Sequence, residues 1–328
     1  MRRLALLAAM SCVGIWVTSV SVHATPRTCD VISDDVIATR KVGDLDKLAR
    51  LWAEARGPAS SCTEHTLYCL GQSIALAPLE AGYRQGDAAE APETIEQTLS
   101  GGLVYGSPWQ LRAGLGDIRL SRARKSHSPA LYSEAALDHQ EALIAIGEPT
   151  VCGAYGEAPR PEKTDIAAIY SRLSTALLLA NPVKVATTKC APCQWMFIAG
   201  IAGFSPSSRP LPITFAEGAT APTPEGLTAI AALVDCLRAG GYTRIVLSGH
   251  TDQIGSGTYN LALSHDRLEV VRKLLVEGGY GGQIALEPKG KDEPFVAEGD
   301  GYSPAEIRRL NRRIEFRGGE AADESSCH

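Results

Sequence analysis

The sequence predicts an α+β protein in which an all-α N-terminal part precedes a C-terminal βαβαββ domain with one mixed sheet. Between residues 30 and 183, apolar residues recur at helical spacing without a sustained strand pattern. After residue 211, β-branched runs alternate with helical patterns. Prolines and serines interrupt both patterns over residues 205–212. The sequence therefore predicts two folded parts joined by a linker.

The first 24 residues have the pattern of a secretory signal. Two arginines follow Met1, residues 4–22 are apolar or small, and Val22-His23-Ala24 places small residues where signal peptidase cleaves. We expect cleavage after Ala24 and export to the periplasm. The alternative is an N-terminal anchor that is retained, because the segment approaches the ~20 apolar residues that a membrane span requires.

Residues 25–183 predict either a helical bundle or a degenerate helical repeat. Helical spacing is clearest over residues 47–52, 67–76 and 166–177. Residues 109–111 and 132–143 resemble the two helices of a tetratricopeptide unit around Ala135 and Ala142. The intervening residues 121–129 are too long and polar for a regular repeat, and no other stretch repeats at this period. We expect this region to bind an unknown protein partner, with an inert spacer as the alternative.

Composition indicates a soluble chain of about two domains: 328 residues with nine cysteines and a formal net charge of −5. No basic excess points to nucleic acid. Cleavage after Ala24 leaves an even number of cysteines in an oxidising compartment, so we expect disulfides. The candidate disulfide cysteines are Cys190 and Cys193, which pair with each other or with other partners, and Cys236, which we expect to pair with Cys327 in the C-terminal tail. A thiol oxidoreductase using Cys190 and Cys193 is an alternative, although this pair does not open a helix after a strand.

The C-terminal elements follow a Cys- and Pro-containing linker at 184–210. We predict a first strand at Ile213–Phe215 and a helix at Thr223–Ala239. The later predicted elements are a strand at 244–247, a helix that ends at Gly278-Gly279, and strands at 283–287 and 314–317. The domain spans residues 211–318, and residues 319–328 form a polar tail.

A carboxylate and a guanidinium are expected to share one cleft in this domain. The strand at 244–247 stops at Ser248-Gly249, which places Asp252 just past a strand end. Residues 255–257 supply a flexible crossing, and Arg267 lies two turns into the following helix. A guanidinium stays charged at physiological pH and can bind a carboxylate through two parallel hydrogen bonds. The spacing therefore predicts a solvent-facing cleft that suits a zwitterion.

Several spaced motifs resemble the signature of the OmpA-like C-terminal domain family. They are Gly249-His-Thr-Asp252, Gly255-Ser256, Tyr259-Asn260, Leu263-Ser264, Arg267 and Asn311-Arg-Arg-Ile-Glu315. The resemblance implies noncovalent binding of meso-diaminopimelate in peptidoglycan stem peptides, without a cofactor. It places Asp252 on the free ammonium and Arg267 on the free carboxylate.

Outer members of the pocket follow from the same resemblance. They are Thr251, Asn260 and one of Arg312 or Arg313. One departure is Leu268, where the family usually has a small alanine, and a bulkier side chain would narrow the helix packing without touching the charges.

Purely structural roles are the alternatives to ligand binding. Asp252 would then cap a turn, and Arg267 would be a solvated surface charge. A metal cluster of His250, Asp252 and His265 is a further alternative, but no metal-ligand spacing accompanies it. The joint spacing favours ligand binding. We therefore predict a non-enzymatic protein that tethers a periplasmic or outer-membrane assembly to the cell wall. The alternatives are a protein-interaction scaffold without wall binding and the thiol oxidoreductase.

Overall fold

A computed structural model of the chain describes residues 27–87, 91–147, 152, 160–181, 183, 204 and 206–321. The predicted signal segment and most of the predicted linker lie outside these residues. Among the described helices, none is both long and apolar enough to cross a membrane.

The N-terminal region is all-α over its described residues, as predicted. Its seven described helices are α1 (Cys29–Val42), α2 (Leu45–Ala55), α3 (Glu64–Asp87), α4 (Pro92–Gly102), α5 (Trp109–Ser126), α6 (Pro129–Gly147) and α7 (Lys163–Leu179). Asp44 begins α2 by accepting a hydrogen bond from the Lys47 amide, and Gly43 ends α1 in the left-handed conformation. Local capping signals therefore set the boundary between the first two helices.

The helices α5 and α6 form a hairpin with a very short connection. Only His127 and Ser128 separate them, and His127 adopts a positive φ of 49°. We expected residues 121–129 to be a long polar connection, but α5 continues to Ser126. The polar residues in this stretch include arginine and lysine, which are good helix formers, so the stretch continues the helix, with Ala123 as its buried position.

Two disulfides within the described residues each join a helix to a residue outside the described helices, which confirms the expectation of disulfide bonding. Cys29 pairs with Cys62, and Cys69 pairs with Cys152. Cys236 is also disulfide-bonded. Its predicted partner Cys327 and the candidate cysteines Cys190 and Cys193 lie outside the described part of the chain.

The C-terminal domain has a mixed four-stranded sheet, as predicted. Its elements are β1 (Arg209–Leu211), α8 (Pro224–Ala239), β2 (Tyr242–His250), α9 (Gly257–Glu277), β3 (Gln283–Gly290), α10 (Pro304–Asn311) and β4 (Ile314–Ala321). The strand order is β1-β4-β2-β3, with β2 and β3 parallel and the other two pairs antiparallel. The helix α9 makes the crossover that a parallel pair requires.

The first strand lies earlier than expected. We predicted a strand at Ile213–Phe215, but β1 ends at Leu211, which pairs with the first residue of β4, Ile314. Ile213 and Phe215 are nevertheless buried in the core of the domain. The apolar residues Ile213 and Phe215 thus correctly indicated burial. They form no strand because β4, the partner of β1, begins opposite Leu211. The short helix α10 is an addition to the predicted order.

One apolar core holds the sheet against α8 and α9. Leu247, Leu268, Val271 and Phe316 are all buried there. A Cβ atom at Gly249 would lie 2.8 Å from the Leu268 Cγ atom, so the glycine permits this close packing. The unusual Leu268 therefore fills the core beneath the end of β2 and leaves the charged residues untouched.

Candidate functional site

The candidate site residues Asp252 and Arg267 lie where β2 passes into α9. The strand ends at His250, and Ser256 caps α9 by accepting a hydrogen bond from the Tyr259 amide. Gly255 lies in this crossing at a φ of 93°, a conformation that favours glycine. Asp252 follows the strand end, and Arg267 points from the third turn of α9.

Asp252 is held in place through both of its carboxylate oxygens. Its Oδ1 accepts a hydrogen bond of 3.1 Å from the Ile254 amide, and its Oδ2 accepts one of 2.9 Å from Arg312 Nη1. The residue is 6% exposed. Asp252 does bond within its turn, yet its second oxygen also forms an ion pair with a residue 60 positions later.

Arg267 is buried, contrary to the expectation of a solvent-facing residue, and its exposed fraction is 0%. Its Nε donates to the Ala219 carbonyl at 2.8 Å, and its Nη2 donates to the Ala216 carbonyl at 3.2 Å. The guanidinium carbon lies 4.8 Å from the ring centroid of Phe215. The residues after β1 therefore cover the guanidinium, which short-range sequence patterns do not reveal.

The Nη1 atom of Arg267 is buried and has no hydrogen-bond partner among the described residues. Burial, together with the nearby charge of Arg312, lowers the pKa of Arg267 to about 10, while Asp252 acts in the opposite direction. Arg267 remains protonated at neutral pH. An anion that accepted a hydrogen bond from Nη1 would compensate for this buried charge.

Thr251 and Asn260 lie on either side of the crossing. The Thr251 amide donates to the Gly290 carbonyl, while its Oγ1 is buried without a partner within the described residues. The Asn260 Nδ2 donates to the Ile254 carbonyl at 2.8 Å and to the Ser256 carbonyl at 3.0 Å. Asn260 therefore holds the loop that carries Asp252.

Arg312 and Arg313, the two candidate arginines of the Asn311–Glu315 motif, have different partners in the structure. Arg312 bonds to Asp252 and donates from Nε to the Phe215 carbonyl at 3.2 Å. Arg313 instead donates from Nε to Glu315 at 2.7 Å and lies over the ring of Phe295. Of the two, Arg312 is the one that the fold brings to Asp252.

His250 belongs to the same buried cluster as Arg313. Its Nε2 lies 3.2 Å from the Ser248 hydroxyl and 3.6 Å from Glu315 Oε2. Burial alone would raise the pKa of Glu315, but its interactions with His250 and Arg313 lower that pKa to about 2. This charged cluster anchors the backbone from which Thr251 and Asp252 project.

The metal alternative receives no support from this geometry. The His265 side chain is 54% exposed and lies beside Asp266 and Glu269 on α9, whereas that of His250 is buried. No group of three histidine, cysteine, aspartate or glutamate side chains suited to a metal ion occurs within the described residues.

Sequence reasoning missed the part of the site formed by residues 215–219. Phe215 stacks on Arg267, while Ala216 and Ala219 contribute backbone carbonyls. Every residue has a backbone carbonyl, so the type of residue does not reveal which carbonyls will accept a hydrogen bond from Arg267. Phe215 carried a signal for burial, although its contact with the arginine depends on the tertiary fold.

Comparisons with known proteins agree with the signature motifs. Residues 214–308 match the OmpA family. The chain is 36% identical over 95 residues to a peptidoglycan-associated lipoprotein of Pseudomonas aeruginosa, covering 29% of this chain and 54% of that protein. It is also 36% identical over 85 residues to outer membrane porin F of the same organism, covering 25% and 23% of the two chains.

A solved structure of the peptidoglycan-associated lipoprotein from Burkholderia pseudomallei is 27% identical, with a TM-score of 0.28. It covers 34% of this chain and 89% of that one. The present chain spans about half the length of the Pseudomonas lipoprotein that it matches. The tetratricopeptide resemblance near Ala135 and Ala142 is not confirmed. The OmpA resemblance is confirmed, and residues 214–308 form an OmpA-like domain.

Proposed function

We propose that the C-terminal domain binds peptidoglycan noncovalently through the diaminopimelate of its stem peptides. The observation that carries the proposal is the buried Arg267, whose Nη1 has no partner among the described residues and which interacts electrostatically with Asp252. The free end of diaminopimelate has an ammonium and a carboxylate on one carbon. A ligand of this kind would meet both charges together.

Arg267 suits the ligand carboxylate because only part of its donor set is used. A guanidinium has five N–H groups, and the carbonyls of Ala216 and Ala219 accept from two of them. The remaining donors include both N–H groups of Nη1. Hydrogen bonds between ionised groups are stronger than neutral ones, particularly where water is excluded.

Asp252 suits the ligand ammonium because its carboxylate is already oriented. Arg312 and the Ile254 amide each engage one oxygen, and a carboxylate oxygen can accept more than one hydrogen bond. We assign Thr251 as a further contact through its buried Oγ1. Asn260 and Arg312 shape the pocket, whereas Arg313 supports it from the His250 cluster.

The names of the relatives support a place in the cell envelope, since they are a peptidoglycan-associated lipoprotein and an outer membrane porin. We propose that this protein tethers an envelope assembly to the wall from the periplasm. In this role the C-terminal domain binds the wall without a catalytic step, and the helical region binds an unidentified protein.

Cosedimentation of the full-length oxidised protein with diaminopimelate-type sacculi tests the proposal. The protein should pellet with sacculi, and free meso-diaminopimelate should release it. Asp252→Ala should abolish pelleting, while Asp266→Ala should not, because Asp266 is exposed on α9. Pelleting that ignores both the free amino acid and the loss of Asp252 would refute binding through this pocket. A folded parent protein that stays in the supernatant would favour the scaffold alternative.

A further inference from the structure

The helix α10 is an element of the C-terminal domain, but it also packs against the N-terminal helical region. Leu310 has an exposed fraction of 0% and lies in the apolar cluster built mainly from α5, α6 and α7. Phe295 and Tyr302, from the connection before α10, pack against the same cluster. The connection from β3 to β4 is therefore partly buried by the helical region.

One carboxylate on α10 fixes its N-terminal end against that region. Glu306 Oε1 accepts a hydrogen bond of 2.8 Å from the Tyr132 hydroxyl, and Oε2 lies 2.8 Å from His127 Nδ1. The same Oε2 accepts from the amide and hydroxyl of Ser303, which caps α10. Glu306 thus joins the start of α10 to the α5–α6 hairpin.

Two further contacts, one before and one after Glu306 in the chain, also join this segment to the helical region. Arg172 of α7 makes two hydrogen bonds to the Glu298 carboxylate, of 3.0 and 3.2 Å. Arg309 of α10 donates to the Ala180 carbonyl, just after α7, at 3.0 Å. Contacts therefore extend along the connection and the helix.

The C-terminal end of α10 leads directly into the candidate pocket. Arg312 is the C-cap of α10, and its amide donates to the Arg308 carbonyl at 3.1 Å. Its side chain reaches Asp252 and the Phe215 carbonyl. A shift or loosening of α10 would consequently move Arg312 away from the two groups that it holds.

We propose that helices α5–α7 position Arg312 through α10, so that His127 and Tyr132 are positioning residues for the diaminopimelate pocket. This inference rests on the proposed function. The helical region is then part of the support of the binding site and contributes to its affinity, although none of its residues touches the ligand.

The test changes only the helical region and leaves the α10 cap intact. The double variant Tyr132→Phe/His127→Gln removes the Tyr132 hydroxyl and replaces the His127 imidazole, and Tyr68→Phe, exposed on α3, is the matched control. Calorimetric titration of the full chain with free meso-diaminopimelate should show a loss of affinity of roughly three- to tenfold for the double variant, the size of one hydrogen bond. Tyr68→Phe should bind like the parent.

A double-mutant cycle separates positioning from general destabilisation. In an Arg312→Ala background, the Tyr132→Phe/His127→Gln changes should have no further effect on affinity, because the residue they position is gone. An equal loss in both backgrounds would overturn the proposal, as would parent-like affinity of the double variant.

Hydrogen exchange of the Arg312 amide tests the same coupling without a ligand. Exchange should be faster in the double variant than in the parent and in Tyr68→Phe, since the end of α10 is less restrained. Unchanged exchange would overturn positioning by the helices, whatever the ligand. A parent protein that fails to bind meso-diaminopimelate would instead refute the proposed function, while the exchange rates still decide whether the helices hold Arg312.

Discussion

Arg312 and Asp252 form an ion pair of 2.9 Å between the residue that ends α10 and the residue that follows β2. Both side chains are nearly buried. The pair joins the two motifs of the OmpA-like signature, which lie far apart in the chain. It fixes the orientation of the Asp252 carboxylate beside the buried Arg267.

Arg267→Lys should weaken binding of meso-diaminopimelate by roughly 10- to 100-fold, the size of one charge-assisted hydrogen bond. Lysine keeps the charge, but its single nitrogen cannot reproduce the planar contacts to Ala216, Ala219 and a ligand. Arg272→Lys is the matched control, because Arg272 is half-exposed on the same helix. Titration of the full chain measures both. Parent-like affinity of Arg267→Lys would replace the directional model with a simple electrostatic patch.

Removal of Arg267 should also affect folding, which the sequence alone did not suggest. The sequence predicts a solvent-facing residue, but the side chain is buried and donates to two carbonyls. Arg267→Ala should therefore lower the free energy of unfolding by about 2 to 4 kcal/mol through lost packing and unpaired carbonyls. Urea denaturation, with Arg272→Ala as the control, measures the difference. Equal stability of the two variants would show that the covering residues do not depend on Arg267.

Asp252→Ala should reduce affinity more than Asp252→Asn. Asparagine keeps one of the two oxygens, which can still accept a hydrogen bond from the ligand ammonium, whereas alanine removes both acceptors and leaves the Ile254 amide and Arg312 without them. The charge-assisted bond accounts for roughly 1.5 to 3 kcal/mol. Titrations of both variants with meso-diaminopimelate decide the order. Equal losses would mean that the charge alone matters, and parent-like binding of both would remove Asp252 from the pocket.

Arg312→Lys and Arg313→Lys should have different effects. The first should weaken ligand binding because Arg312 holds Asp252, although less than Arg267→Lys does. The second should chiefly reduce stability, because Arg313 bonds to Glu315 and the Glu293 carbonyl in a buried cluster. Affinity and the unfolding midpoint, measured on each variant, separate the two roles. A larger loss of affinity for Arg313→Lys would reverse the assignment.

The long, local patterns of the OmpA-like domain were predictable. A β-branched run predicted β2, and the paired glycines at 278–279 predicted the end of α9. Both elements lie at the predicted positions. The helix α10 was missed, although Ser303 and Glu306 have the spacing of a capping box. The choice between Arg312 and Arg313 could not be made, because it depends on how the chain enters β4.

The buried cluster of His250, Arg313 and Glu315 should make the free energy of unfolding depend on pH. The folded-state pKa of Glu315, about 2, lies below the ordinary value of 4.5, so the ionised carboxylate stabilises the fold above about pH 4.5. That contribution is lost as the pH falls toward 2. The stability difference between the parent and Glu315→Gln should therefore shrink over this range. A difference that stays constant down to pH 3 would contradict this role for the charge.

Calorimetric titration with two stem tetrapeptides tests the central claim most directly. One contains meso-diaminopimelate, and the other has lysine in its place, which keeps the side-chain ammonium but lacks the adjacent carboxylate. The full-length protein should bind the first peptide about tenfold or more tightly than the second, and Arg267→Lys should erase most of that difference. Equal affinity of the parent for both peptides would contradict recognition of the carboxylate by Arg267.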